Sequence, residues 1–182
     1  MPMITIITGS THAGKTALAQ ALLEREQTPY LSIDHLKMGL IRAGHTSLTP
    51  LSEDSELTAY LWPIVAEMIK TASENRQDLI VEGCYVPADW KSYFTTAYLN
   101  DIRFVCLILS ESYIKQSFDQ IVQQASVIEQ RLDDEWLTPE LLIQDNRQWL
   151  EDCQIHQLPY ILIEEVYDQA MIIEQLIQQS DK

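Results

Sequence analysis

Residues 9–16 read GSTHAGKT and match the pattern G-x-x-x-x-G-K-[S/T]. At average residue frequencies, roughly one chain in 100–200 of this length would carry that pattern by chance. Here it lies between an apolar, β-branched run, MITIIT at 3–8, and a run with helical spacing, KTALAQALLERE at 15–26. A strand that passes through such a loop into a helix is the setting in which the loop cradles phosphate. Gly9 and Gly14 allow backbone angles and close approaches that a Cβ would block. The loop's N–H groups then form an anion nest at the positive end of the helix dipole. Gly9, Ser10, Thr11, His12, Ala13, Gly14, Lys15, Thr16 and Ala17 are therefore the expected nucleotide-binding residues. Lys15 would reach the β- and γ-phosphates, and the Thr16 hydroxyl would ligate Mg²⁺. His12 reads as an exposed filler at the loop tip, with proton transfer as the alternative.

Strand and helix signals alternate along the rest of the chain. Strands are expected at 3–8, 29–34, 78–83, 102–109 and 160–165. Helices are expected at 15–26, 35–42, 56–74, 87–99, about 112–132, about 138–154 and 168–179, with a kink at Pro63. Strands separated by helices pair in parallel through crossovers, with helices on both faces of the sheet. The 182 residues suit one domain. The three cysteines are far apart and form no CxxC, which argues against zinc and against a disulfide framework. Twelve Lys and Arg against 27 Asp and Glu leave a formal charge of −15. A nucleic-acid partner needs a basic face, so none is expected. The first residues lack a basic leader, and FVCLIL is far too short to span a bilayer. The expectation is a cytoplasmic protein with no membrane partner.

Several nucleotide-binding classes lack their marks here. There is no NKxD segment, no D-x-x-G after the third strand, and no LSGGQ-like stretch. What remains has the size and layout of a small kinase. Three stretches, GSTHAGKT, SIDHLKMGLIR and IVEGCYVP, carry a resemblance to P-loop kinases of the adenylate/shikimate kinase-like group. The chain looks most similar to the small-molecule branch that includes chloramphenicol phosphotransferase, the zeta-toxin type and 2-phosphoglycerate kinase-like proteins. The resemblance implies an α/β fold, a three-layer α/β/α sandwich on a five-stranded parallel sheet in the order 2-3-1-4-5. It also implies ATP over the C-terminal ends of the strands, the side where open α/β sheets bind ligands in general. One P-loop kinase domain over 1–182 follows, with acceptor-binding helices at about 35–76 and a helical lid at about 111–150.

Strand polarity sorts the charged residues. Arg25, Arg76 and Arg103 precede strands and read as structural. Asp34 ends the second strand; the resemblance makes it the group that takes or orients the acceptor's hydroxyl proton, and a helix cap is the rival reading. Its neighbour His35 is the other candidate base. Lys37 lies three residues on, and Arg42 further along; together they could bind an acidic group on the acceptor, or lie on a solvated helix face. Glu82 ends the third strand where a Walker B acid belongs, and could hold a Mg²⁺-bound water or the acceptor. Gly83 would let a ligand approach the backbone, and Lys91 is a further substrate candidate. In the lid, Arg131 is the first choice to close over the transferred charge and Arg147 the second. Val166 and Tyr167 stand where the resembled kinases contact adenine.

The expected activity is transfer of the ATP γ-phosphoryl group, with Mg²⁺, to a hydroxyl of a small-molecule acceptor, by a monomer or homodimer. Lys15, Asp34 and Arg131 would be catalytic. The alternatives are a regulatory nucleotide-binding protein without efficient transfer, and a nucleoside or nucleotide kinase.

Overall fold

The computed structural model describes residues 3–125 and 136–180. Five strands, β1 (Ile4–Gly9), β2 (Tyr30–Ser32), β3 (Leu79–Glu82), β4 (Ile102–Leu109) and β5 (Tyr160–Ile163), form one sheet in the order β2-β3-β1-β4-β5. Every neighbouring pair is parallel. Seven described helices surround it: α1 (Lys15–Glu26), α2 (Ile33–Arg42), α3 (Asp54–Glu74), α4 (Thr96–Leu99), α5 (Glu111–Ala125), α6 (Pro139–Ile155) and α7 (Gln169–Ser180). The fold class and strand order expected from the sequence are those found.

β1 is the central strand and is buried along its whole length. Such a strand must be apolar on both faces, which is why MITIIT reads as a continuous run rather than an alternating one. Ile4 and Ile6 pack with Leu61, Trp62, Val65 and Ile69 of α3. Ile7 faces the other way, among Leu18 and Leu22 of α1 and Ile173 and Leu176 of α7. Each face of the sheet thus has its own core. α3 runs on through Pro63, which lies on its exposed side.

The helix expected over 87–99 is not continuous. A 3₁₀ turn at Trp90–Tyr93 and the single turn of α4 replace it. The aromatic residues explain the difference. Trp90 stacks on Phe104 of β4, with ring centroids 5.1 Å apart and planes at 9°, and Phe94 meets Trp90 edge-on at 6.0 Å. Docking these rings on the sheet outweighs the weak helix propensity of Ser92, Thr95 and Thr96. Arg103 is structural, as its place before β4 suggested: Nε donates to Thr5 Oγ1 and Nη2 to Glu26 Oε2.

Strand β1 has β3 on one side and β4 on the other: the chain leaves β1 for β2 and β3 on one side and then passes to β4 and β5 on the other. The crevice at that reversal, beyond the strands' C-terminal ends, is where the fold concentrates its polar groups. Among the described residues no helix is long and apolar enough to cross a membrane.

Candidate active site

The loop between β1 and α1 is folded as a cradle. Gly14 takes a left-handed conformation, φ +84°, and begins α1. His12 is also left-handed, at φ 60°, a region that histidine enters more readily than most residues. It is not an exposed filler: only 8% of its surface is accessible, and Thr11 Oγ1 bonds its Nδ1 at 2.9 Å. Lys15 is buried, and its ammonium turns back to donate to the Ser10 carbonyl at 2.6 Å. That contact keeps a desolvated cation paired at the place where the motif needs one.

Behind the loop, the Thr16 hydroxyl donates to Glu82 Oε2 at 3.2 Å, and Glu82 is 1% exposed at the end of β3. A hydroxyl and a carboxylate side by side are the hard oxygen donors that Mg²⁺ prefers, and Mg²⁺ commonly takes its remaining ligands from phosphate and water. No cluster of three or more His, Cys, Asp or Glu that could hold a metal exists among the described residues. The Thr16 and Glu82 oxygens fit a metal that takes its other ligands from a nucleotide and water.

Asp34 lies in the first turn of α2, two residues past the end of β2. Ser32, not Asp34, occupies the cap position. The positive end of α2 favours the Asp34 carboxylate there. Lys37 Nζ donates to Asp34 Oδ1 at 2.7 Å and to the Tyr85 hydroxyl at 2.7 Å, and sits 4.7 Å from the Tyr85 ring centre. Burial works against the Lys37 charge, but Asp34 and Tyr85 outweigh it and leave its pKa above the ordinary lysine value. Burial pushes Tyr85 up to about 12, against the pull of Lys37. The ammonium is therefore bound internally and orients Asp34.

A cavity of about 630 Å³ gathers these groups: His12, Lys15, Thr16, Asp34 and Glu82 line it. Leu109, Tyr113, Ile121, Val166 and Ala170 add apolar surface to the same wall. Tyr167 borders it too, but its ring lies against the loop. The Tyr167 hydroxyl donates to the Gly14 carbonyl at 2.8 Å, and a Cβ on Gly14 would stand 2.5 Å from the ring. Tyr167 thus braces the phosphate loop from the cavity wall that it shares with Val166, which is 73% exposed.

Other expected residues lie elsewhere. Arg42 is exposed in the last turn of α2, and Lys91 is exposed with Nζ 5.8 Å from the Trp90 ring centre. Gly83 makes room for protein, since a Cβ there would stand 2.9 Å from Ile33 Cβ. Arg147 points to Glu111, which also holds Lys115 at 2.6 Å. These two cations draw the Glu111 carboxyl below its usual range. Arg131 lies outside the described residues.

Asp145 of α6 escaped the sequence reading. It accepts a hydrogen bond from the Thr11 N–H and lies within electrostatic reach of Lys15. Burial nonetheless raises its carboxyl above the ordinary range. Next to it, Asn146 is 2% exposed, accepts from the Leu109 N–H at 2.8 Å and donates to the Leu142 carbonyl at 2.8 Å. Asn146 falls on the buried stripe of α6 with Leu142, Ile143 and Cys153, and Asp145 is half-buried at its margin. Polar residues on an apolar helical stripe were the available signal. A second cavity, about 1060 Å³, opens on the far side of Thr11 and Cys84. Cys84 lines both cavities, and burial raises its thiol pKa. A further cleft, about 1180 Å³, lies away from all of these groups, beside β2 and the outer side of α3.

Comparison with known proteins places this geometry. The chain shares its fold with a gluconokinase from Sinorhizobium meliloti 1021, at 16% identity, TM-score 0.56, and coverage of 99% of this chain and 92% of that one. It also resembles shikimate kinase from Aquifex aeolicus vf5, at 14% identity, TM-score 0.53, and coverage of 98% and 96%. A deoxyadenosine kinase from M. mycoides gives 12% identity, TM-score 0.53, and coverage of 98% and 99%. No curated protein matches significantly. The family model for zeta toxin matches residues 1–108, which contain the phosphate loop, Asp34 and Glu82. The chain belongs to the zeta toxin family and carries the P-loop kinase fold.

Proposed function

We propose that this protein is an ATP- and Mg²⁺-dependent kinase that phosphorylates a hydroxyl group of a small molecule. The observation that carries the reading is that Lys15, Thr16, Glu82 and Asp34 share the wall of one cavity. The loop N–H groups and Lys15 hold the β- and γ-phosphates, and Tyr167 keeps the loop in shape behind them. Thr16 and Glu82 hold the Mg²⁺ of the nucleotide, which offsets phosphate charge during transfer. Asp34, held through Oδ1 by Lys37, receives the acceptor's hydroxyl proton on its other oxygen. The acceptor oxygen bonds to the γ-phosphorus as the bond to the β-phosphate oxygen breaks, and ADP leaves. Residues of about 35–76 serve the acceptor, and those of about 111–150 form the lid, with Arg131 or Arg147 supplied to the transferred charge. For Arg147, closure requires release from Glu111.

Two variants test this reading. Lys15→Ala is expected to lose ATP binding in titration calorimetry. Asp34→Asn is expected to bind ATP but lose transfer to an accepted hydroxyl by about 100-fold or more. Transfer undiminished in Asp34→Asn removes the proposed base. No transfer from the wild type to any hydroxyl, with ATP binding intact, favours a regulatory nucleotide-binding protein.

A further inference from the structure

The second cavity bears on the acceptor. It meets the nucleotide cavity at Cys84, and Thr11 of the phosphate loop forms part of its wall. Its charged lining consists of Glu53, Asp54, Asp145 and Asp152; among the described residues no Lys, Arg or His lines it. None of the four takes part in the ion pairs among the described residues, which join other carboxylates to lysine or arginine. The cations that the sequence offered for an acidic acceptor are absent from this wall: Lys37 is bound to Asp34 and Tyr85, and Arg42 and Lys91 do not line it.

We propose that the acceptor is an organic cation, an alcohol carrying a protonated amine, seated in this cavity with its hydroxyl toward the phosphate loop. The inference rests on the kinase reading of the adjoining site. Asp54 begins α3 and Asp145 lies midway along α6, so two separate elements bring carboxylates to one space. Asp54 adds to the unfavourable environment of the Asp145 charge. A ligand cation relieves that repulsion; a ligand carboxylate or phosphate adds to it. Tyr93, Trp136 and Trp149 line the same space. Aromatic faces attract an ammonium and cover an apolar body at once. A bare metal ion is a poor occupant, because the described residues hold no group of three metal-ligating side chains. At about 1060 Å³ the cavity has the size of a small-molecule site, not of an ion site.

The test follows phosphate from labelled ATP to matched acceptors. Glucosamine, ethanolamine and kanamycin carry the amine; glucose and ethylene glycol are neutral; gluconate and glycolate are acids. An amine acceptor is expected to exceed its neutral and acidic counterparts in kcat/KM by about tenfold or more, the scale of one hydrogen bond to a charged group. Asp145→Asn and, independently on another helix, Asp54→Asn are expected to shrink that preference by about tenfold. If neutral or acidic acceptors are used as well as amines, the proposal is overturned. It is equally overturned if no amine is phosphorylated while a neutral or acidic acceptor is. An unchanged preference in both variants also defeats it. Failure of the wild type to bind ATP would instead bring down the kinase reading on which it rests.

Discussion

Gly14 and Tyr167 are 153 residues apart in sequence yet share one point in space, and their coupling can be measured. Gly14→Ala meets two obstacles. First, φ is +84°, where an alanine costs about 1–2 kcal/mol. Second, the new Cβ would lie 2.5, 2.6 and 2.7 Å from three atoms of the Tyr167 phenol. Overpacking of that kind costs about 1–3 kcal/mol. The sum, about 2–5 kcal/mol, should appear in urea unfolding of the nucleotide-free protein. Tyr167→Ala removes the second obstacle and leaves the first. In that background, Gly14→Ala should cost only about 1–2 kcal/mol, a coupling of about 1–3 kcal/mol. Tyr167→Phe removes the hydroxyl bond to the Gly14 carbonyl and keeps the ring, so the coupling should survive it. The carbonyl also accepts from the Leu18 N–H at 2.9 Å and is not left bare. Additivity of Gly14→Ala and Tyr167→Ala within about 0.5 kcal/mol refutes the brace.

Three more perturbations probe parts that the sequence left hidden. Asp145 has a raised carboxyl pKa, so the folded state holds its proton more tightly than the unfolded chain does, and stability falls as pH rises from the ordinary carboxylate value through the folded one. Asp145→Asn should therefore raise Tm at pH 7, with the gain fading below about pH 4; a gain independent of pH counts against this. Asn146→Ala strips the Leu109 N–H of its acceptor and should cost about 1–3 kcal/mol in urea unfolding, and a loss under about 0.5 kcal/mol would contradict the tie between α6 and β4. Lys37→Met frees the Asp34 carboxylate and should lower kcat by about tenfold or more, with a smaller change in ATP affinity; equal losses in both would mean a general collapse of the site.

Much of the fold was legible before any coordinates. The apolar runs at 3–8 and 102–109 are strands because a doubly covered sheet demands residues buried on both sides. The phosphate loop was legible for the same kind of reason: its glycines, lysine and threonine do their work within eight consecutive residues. The 87–99 segment is not one helix because its aromatic residues anchor on Phe104 and Trp62. Tyr167 stands after β5, where the resembled kinases contact adenine, and its hydroxyl bond to Gly14, at the other end of the chain, has no local signal. Lys37 was visible as a cation near Asp34, but only the arrival of Tyr85 from behind β3 commits it there. Asp145 drew no notice, since its meaning depends on Thr11 and Asp54. The sequence by itself determined the strand order's raw material and the glycine-rich loop between β1 and α1, because periodicity and loop chemistry are local. Tertiary structure alone decided which charges are spent on one another and which face an open cavity, because those pairings join elements that the chain keeps far apart.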